Sequence, residues 1–271
     1  MKRILFYIFF TFFTTHVFAQ GQGEPLKTQE VTATVAANYA IYSMIASNSY
    51  HNTDRVKFPV EKMGWIQVDI NGKPTDGPTV EMKSGLAFDI FEKQNSDEVI
   101  FSFRGTDSKR DHATANLAVG RFSGQYKQAR KFFDDYLKNN SNKKVSVTGH
   151  SLGGGLALSM SVHYGVDAVV FDSSPRVFDD SRAEPAPATR VMVYEGGEML
   201  AAVRKIWEKK FLTIVPQENI YKATFDFGGT NKHRSDHLAL GLLALGATMD
   251  SALVPVCEAL QKICVIRRND T

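Results

Sequence analysis

One short element constrains the fold of this chain more than any other: a strand, a glycine-rich turn and a helix that follow one another directly. Val145–Thr148 is β-branched and predicts a strand, and Leu156–Tyr164 is rich in helix formers. Between them lies Gly149-His150-Ser151-Leu152-Gly153, a G-x-S-x-G pattern. A sharp turn from strand to helix pushes the hydroxyl of the central serine into the open, where it can act as a nucleophile.

The glycines on both sides of Ser151 favour this interpretation. Gly149 and Gly153 let the backbone bend sharply and leave room for close packing between the helix and the sheet. The start of the helix also directs free N–H groups and a partial positive charge at the serine. The alternative is that Ser151 only caps a helix, a position that serine often occupies.

The rest of the chain alternates between strand and helix patterns, without internal repeats or long linkers. Apolar residues at helical spacing predict helices over Val31–Tyr50 and Gln125–Leu137, and Glu98–Phe103 predicts a buried strand. Early strands at Trp65–Ile70 and Leu86–Phe91 are separated by turn residues and indicate an antiparallel edge. The predicted fold class is therefore α/β, with a mostly parallel mixed sheet flanked by helices.

The N-terminus has the pattern of a secretory signal peptide. Lys2 and Arg3 precede the apolar run Ile4–Phe13, and Val17 and Ala19 are small residues at the positions that precede a cleavage site. A membrane anchor is the alternative, but the run is shorter than the roughly 20 residues of a spanning helix. We therefore expect residues 1–19 to be a cleaved signal peptide and residues 20–271 to form a single domain, with the protein secreted or periplasmic.

The charge balance and the motif content exclude several function classes. The net charge of the whole chain is +3, and two of the basic residues lie in the predicted signal peptide. A nearly neutral chain lacks the basic surface typical of nucleic-acid binding, so we expect no nucleic-acid partner. The sequence also lacks metal-ligand spacing, a phosphate-binding loop and a dinucleotide fingerprint. We therefore expect neither a metal nor a cofactor.

The two cysteines, Cys257 and Cys264, lie seven positions apart near the C-terminus. On an unbroken helix their Cα atoms would be about 10 Å apart, whereas a disulfide needs less than about 7 Å. Either the helix ends between them and they pair, as export permits, or they remain reduced on one helical face.

Several segments resemble class 3 lipases, the family that includes fungal triacylglycerol lipases. Thr148–Ala157 resembles the nucleophile segment of that family, and Phe101-Ser-Phe-Arg-Gly-Thr-Asp107 resembles its oxyanion segment. Asp111–Leu117 is similar to the segment that follows, although His112 stands where Trp is common. Ser174–Val177 and Arg190–Glu198 resemble later parts of the family pattern, and the likeness spans about residues 31–246.

The resemblance implies an α/β-hydrolase fold and cleavage of lipid acyl esters without a cofactor. It identifies Ser151 as the nucleophile. A serine of this type needs two preorganised N–H donors for the oxyanion. The N–H of Leu152 directly follows the nucleophile, and the resemblance assigns the second donor to Thr106.

Two histidines compete for the role of general base, which a serine nucleophile needs within hydrogen-bond reach. In α/β hydrolases the chain order is serine, acid and then histidine. His233 lies in a loop before the last predicted helix, and its following residues resemble the family pattern. His237 is the alternative, predicted to lie in that helix, and His163 is interpreted as an ordinary helix residue.

Three carboxylates compete for the role of the acid that orients the base. Glu198 follows a predicted strand at the position where the family has Asp, and Glu serves the same role in many α/β hydrolases. Glu195 and Asp172 are the alternatives, and Asp172 stands at the end of the strand after Ser151.

Together these patterns predict an exported serine carboxylic ester hydrolase, a lipase or phospholipase that works through an acyl-Ser151 intermediate. We expect its partners to be a lipid or another ester substrate and a membrane surface. The alternatives are an esterase for soluble esters or for acylated polysaccharides, and an inactive hydrolase-fold protein that only binds.

Overall fold

The computed structural model describes residues 27–28, 32–51, 54–105, 119–174, 188–201 and 220–265. These residues form one sheet with the strand order β1-β9-β8-β7-β6-β5-β4-β2, and β3 pairs with β4. The strands are β1 Lys27–Thr28, β2 Trp65–Val68, β3 Val80–Glu81, β4 Ala87–Lys93, β5 Glu98–Phe103, β6 Lys144–His150, β7 Asp167–Phe171, β8 Arg190–Glu195 and β9 Ile220–Phe225.

All pairs from β5 to β9 are parallel, whereas β4 runs antiparallel to β5, β2 and β3. This confirms the predicted mostly parallel mixed sheet with an antiparallel edge. The carboxyl ends of β6, β7 and β8 consequently meet at one edge of the sheet, which is where ligands bind in open parallel sheets.

Helices cover both faces of the sheet. The helices are α1 Ala33–Asn48, α2 Val119–Asn139, α3 Leu152–Tyr164, α4 Ser235–Gly246 and α5 Val254–Ala259. A core of buried apolar residues that includes Phe101 and Phe133 joins α2 and α3 to one face, and a second core that includes Ile45 and Leu242 joins α1, α4 and α5 to the other. Each layer of helices therefore has its own apolar core against the sheet.

The predicted elements exist, with shifted ends. Helix α1 begins after Thr32, whose side chain accepts a hydrogen bond from the N–H of Val35 at 3.3 Å and caps the first turn. Helix α4 begins at Ser235, directly after the loop that holds His233. Helix α2 extends beyond the predicted Gln125–Leu137 at both ends. Such shifts are expected, because sequence propensity alone fixes helix ends poorly.

The two cysteines form a disulfide. Helix α5 ends at Ala259, a 3-10 turn follows at Gln261–Ile263, and the Cα atoms of Cys257 and Cys264 are 5.2 Å apart. The first alternative from the sequence is therefore realised, because the helix ends between the cysteines.

Several of the sequence predictions concern residues outside this description. The signal peptide at residues 1–19 lies there, and with it the division of the chain into a leader and a single domain stays a prediction. Within the described helices, none is long and apolar enough to cross a membrane.

Candidate active site

Ser151 stands at the sharp turn between β6 and α3. Its backbone has φ +55° and ψ −123°, a conformation that a residue with a side chain adopts only when its surroundings enforce it. Two hydrogen bonds do so: the N–H of Ser151 donates to the carbonyl of Phe171 at 3.0 Å, and the N–H of Ser174 donates to the carbonyl of Ser151 at 2.8 Å. The turn is thereby fixed to the end of β7, as expected for a sharp strand-to-helix turn that exposes a serine hydroxyl.

The glycines of the turn let the start of α3 approach the end of β5 more closely than a residue with a side chain would allow. A Cβ atom on Gly149 would lie 2.7 Å from the carbonyl oxygen of Phe103, and one on Gly153 would overlap that oxygen. The first turn of α3 therefore packs directly on the end of β5.

Ser151, His233 and Glu198 form one chain of hydrogen bonds. Ser151 Oγ lies 3.0 Å from His233 Nε2, and His233 Nδ1 lies 2.8 Å from Glu198 Oε2. Because a carboxylate only accepts, Nδ1 carries the proton, and Nε2 is left to accept from the serine hydroxyl. The side chain of Glu198 is fully buried and that of His233 is 8% exposed, so solvent competes little with these bonds.

Glu198 is held in place by the backbone around it. It lies in the turn after β8, and its Oε2 also accepts a hydrogen bond from the N–H of Leu200 at 2.8 Å. His233 lies in the loop before α4. The three side chains therefore come from the ends of β6 and β8 and from the loop after β9.

The other candidates for the base and the acid make contacts elsewhere. His237 is in α4 with an exposed side chain, as the sequence predicted. Glu195 Oε1 accepts a hydrogen bond from the N–H of Phe227 at 2.8 Å, and its burial raises the pKa of its carboxyl despite that bond. His163 is half-buried in α3, where its ring packs against Tyr164.

The predicted oxyanion donors are described in part. Leu152 is the first residue of α3 and is buried next to Ser151, while Thr106 lies outside the described residues. Gly105, directly before it, is so close to the site that a Cβ there would meet the hydroxyl of Tyr50 and come within 3.3 Å of Ser151 Cβ. The segment that leads to Thr106 therefore reaches Ser151.

A second polar group, made of Tyr50, His150 and Asp172, lies next to His233, and sequence reasoning missed its contacts. His150 Nδ1 is 2.7 Å from the hydroxyl of Tyr50, His150 Nε2 is 3.9 Å from Asp172 Oδ2, and the rings of His150 and His233 have centroids 4.8 Å apart. The signal for Asp172 was its place at the end of a strand, which made it a candidate acid. Nothing in the sequence pattern around Tyr50 indicates its contact.

Three residues at this site are close enough together to be considered as metal ligands. Within the described part of the chain, His150, Asp172 and His233 are the one set of His, Cys, Asp and Glu residues close enough to share an ion. Both ring nitrogens of His233 are already engaged with Ser151 and Glu198. A metal there would have to replace one of those bonds, so the arrangement favours an uncomplexed base.

A groove of about 650 Å³ lies beside α4, and none of Ser151, Glu198 and His233 lines it. Its walls include apolar residues of α4 and of the C-terminal segment, namely Leu240, Ala244, Leu245, Ile263 and Val265. It does not open on Ser151, and we do not assign the substrate to it.

A family model described as phospholipase-like, Tle-like phospholipase domain, matches residues 42–246. No curated protein sequence matches at a significant level.

Solved structures that match this chain include fungal lipases. A lipase from Rhizopus microsporus var. chinensis is 17% identical over 78% of this chain and 83% of its own, with a TM-score of 0.46. Lip2 lipase from Yarrowia lipolytica is 12% identical over 78% of this chain and 86% of its own, with a TM-score of 0.45.

Proposed function

Because the chain belongs to the Tle-like phospholipase domain family, we propose that it is an exported serine hydrolase that cleaves acyl esters of phospholipids. The observation that carries the proposal is the hydrogen-bonded chain from Ser151 through His233 to Glu198. The resemblance of the sequence to class 3 lipases agrees with this lipase-like family.

In the proposed acylation step, His233 Nε2 removes the proton of Ser151 Oγ as the oxygen forms a bond to the ester carbonyl carbon. The carbonyl π electrons move onto the carbonyl oxygen. A well-placed base of this kind contributes roughly 10²–10⁴-fold to the rate. Glu198 holds the imidazole with its proton on Nδ1 and stabilises the imidazolium that forms.

The negative oxygen of the intermediate needs donors that are already in place. The N–H of Leu152, at the start of α3, is one, and the N–H of Thr106 is proposed as the other. Removing one such donor typically costs about 2.7–4 kcal/mol of transition-state stabilisation. When the intermediate collapses, the ester C–O bond breaks and the alcohol leaves with the proton from His233.

Deacylation repeats these steps with water. His233 takes a proton from the water as its oxygen adds to the acyl carbon, and returns it to Ser151 Oγ when the acid departs. The free enzyme is restored without a cofactor. Export is proposed on the leader-like N-terminus, and the disulfide between Cys257 and Cys264 agrees with an oxidising compartment.

The first test is hydrolysis of phosphatidylcholine and of triacylglycerol, together with p-nitrophenyl esters of increasing chain length, by wild type and by Ser151→Ala. We expect phospholipid cleavage and a preference for long acyl chains, both abolished in the variant. A preference for short soluble esters would favour the esterase alternative. If wild type shows no turnover and a fluorophosphonate does not label Ser151, a binding role replaces the enzymatic one.

A further inference from the structure

We propose that Asp172 is a positioning residue for this reaction: its buried carboxylate, together with His150, supports His233 and stabilises the imidazolium form of the base. This inference rests on the proposed function, since it concerns the same proton transfer. It assigns a role to a second carboxylate that the hydrogen-bonded chain of Ser151, His233 and Glu198 leaves unused.

Burial, a left-handed backbone conformation and two hydrogen bonds fix the position of Asp172. It is fully buried, directly after β7, and its backbone has φ +42°, a left-handed conformation that costs free energy for a residue with a side chain. Its N–H donates to the carbonyl of Val193 at 2.9 Å, and its Oδ1 accepts from the N–H of Glu195 at 2.8 Å. These bonds direct Oδ2 towards the turn that holds His150 and Ser151.

His150 links this carboxylate to the reactive centre. It precedes the nucleophile, is buried, and has its two ring nitrogens near different groups: Nδ1 is 2.7 Å from the hydroxyl of Tyr50, and Nε2 is 3.9 Å from Asp172 Oδ2. The rings of His150 and His233 pack at 4.8 Å between centroids. The position of the His233 ring is therefore limited by His150 on one side and by Glu198 at Nδ1.

The electrostatic consequence follows from the distances. One oxygen of Asp172 and one ring nitrogen each of His150 and His233 all lie within 4.8 Å of one another. When His233 takes the proton of Ser151, a positive charge forms that close to a buried carboxylate, in surroundings that screen it weakly. Asp172 neither takes nor gives a proton. It stabilises the charge-separated state and therefore the transition state that precedes it.

Other ionisable groups lie around this cluster. Glu198 binds His233 from the end of β8, and the hydroxyl of Tyr50 lies near His150 from the segment after α1. Glu195 binds Asp172 only through its backbone N–H, and its carboxylate accepts from the N–H of Phe227 instead. Arg55 lies over the Tyr50 ring at 3.9 Å, and Lys232, next to His233 in sequence, pairs with Asp226. A variant that neutralises Asp172 leaves all of these groups unchanged, so its effect on the base can be measured separately.

The test compares Asp172→Asn with Glu195→Gln through kcat and KM for a soluble p-nitrophenyl ester between pH 5 and 9. Asparagine keeps an oxygen to accept from the N–H of Glu195, so the variant removes the charge and replaces only the second oxygen, by an amide NH2. We expect kcat at pH 8 to fall about 10-fold with KM within 2-fold. Without the carboxylate, the base loses its proton at lower pH, so the acidic limb of kcat/KM should move down by about 1 pH unit.

Glu195→Gln is the matched control, because it neutralises a buried carboxylate on the adjacent strand end, and it should leave that limb in place. An acidic limb at its wild-type pH in Asp172→Asn overturns the inference, and so does an equal movement in Glu195→Gln.

A second variant covers the case in which Asp172→Asn does not fold. The variant is Glu198→Ala. Because Asp172 still stabilises the imidazolium in this variant, we expect kcat to fall by only about 10²-fold. A fall near 10⁴-fold, which is usual for loss of a sole acid, would contradict the proposal. Wild type without ester hydrolysis and without labelling of Ser151 rejects the proposed function itself, whereas an active wild type with these contrary variants rejects only the role of Asp172.

Discussion

Gly153, in the first turn of α3, packs directly on the carbonyl group of Phe103, the last residue of β5. The neighbouring atom is backbone, at the centre of the sheet, and cannot rotate away as a flexible side chain could. This contact sets how closely the helix that follows Ser151 approaches the sheet, and so where the serine hydroxyl stands.

Gly153→Ala should therefore destabilise the protein. The added methyl group must displace the helix or the strand, and we expect a loss of about 3 kcal/mol in the free energy of unfolding, at the upper end for overpacking. Urea denaturation measures it. The matched control is Gly124→Ala in α2, where a Cβ meets nothing within 4 Å and alanine should add up to about 1 kcal/mol. Equal stabilities of Gly153→Ala and wild type would contradict the prediction.

Replacing each of the two candidate bases separates them. His233→Gln should lower kcat for a soluble ester by about 10⁴-fold, because Ser151 loses the acceptor of its proton. His237→Gln should stay within 2-fold of wild type, since that side chain is exposed on α4. Steady-state kinetics with circular dichroism as a folding check decide the question. Inactivation by His237→Gln alone would move the base to the other histidine.

Asp236 offers a prediction about stability and pH. Burial alone would raise the pKa of its carboxyl, but hydrogen bonds from Arg234 and from the N–H of Val56 hold that pKa below the usual 3.8. The carboxylate thus contributes stability that is present above pH 3.8 and is lost as the pH falls through the lower folded pKa.

Asp236→Asn should cost about 2 kcal/mol at pH 7, as expected for hydrogen bonds to a charged group. The difference from wild type should shrink below pH 3.8. Urea denaturation from pH 3 to 7 tests both statements, and a difference that stays constant over this range would show that the charge does not matter.

Removing the disulfide should cost stability. In the chain-entropy account, a crosslink that closes a loop of this length contributes about 2 kcal/mol. Cys257→Ser with Cys264→Ser should lose that amount under oxidising conditions, and wild type should lose the same on reduction. Fluorophosphonate labelling of Ser151 at 25 °C is expected to persist, because the contacts among Ser151, His233 and Glu198 involve neither cysteine. An unchanged unfolding midpoint would contradict the prediction.

Local patterns in the sequence were sufficient to predict the fold class and the strand–turn–helix element at Ser151. That element is encoded by adjacent residues, since β-branched residues, two glycines and helix formers each favour their own conformation. The parallel pairing of strands β5 to β9 follows from the alternation of strands and helices. The parallel pairing of β1 with β9 does not, because it joins residues nearly 200 positions apart.

The site shows the same division. His233 was favoured over His237 from its place before a helix, and the structure brings His233 within 3.0 Å of Ser151. The contact of Tyr50 with His150 could not be found, because it depends on how the segment after α1 lies over the sheet. Periodicity shows which residues are buried, but not which polar atoms meet once they are buried.

The contact between Ser151 and His233 joins the two faces of the sheet. Ser151 directly precedes α3, which packs on one face, and His233 lies in the loop that leads into α4, which packs on the other. The 3.0 Å contact between them therefore bridges two separately packed layers. A substitution that shifts the helices of one layer moves only one of these two side chains. Such a substitution, even far from Ser151, is expected to abolish hydrolysis while the other layer keeps its native packing.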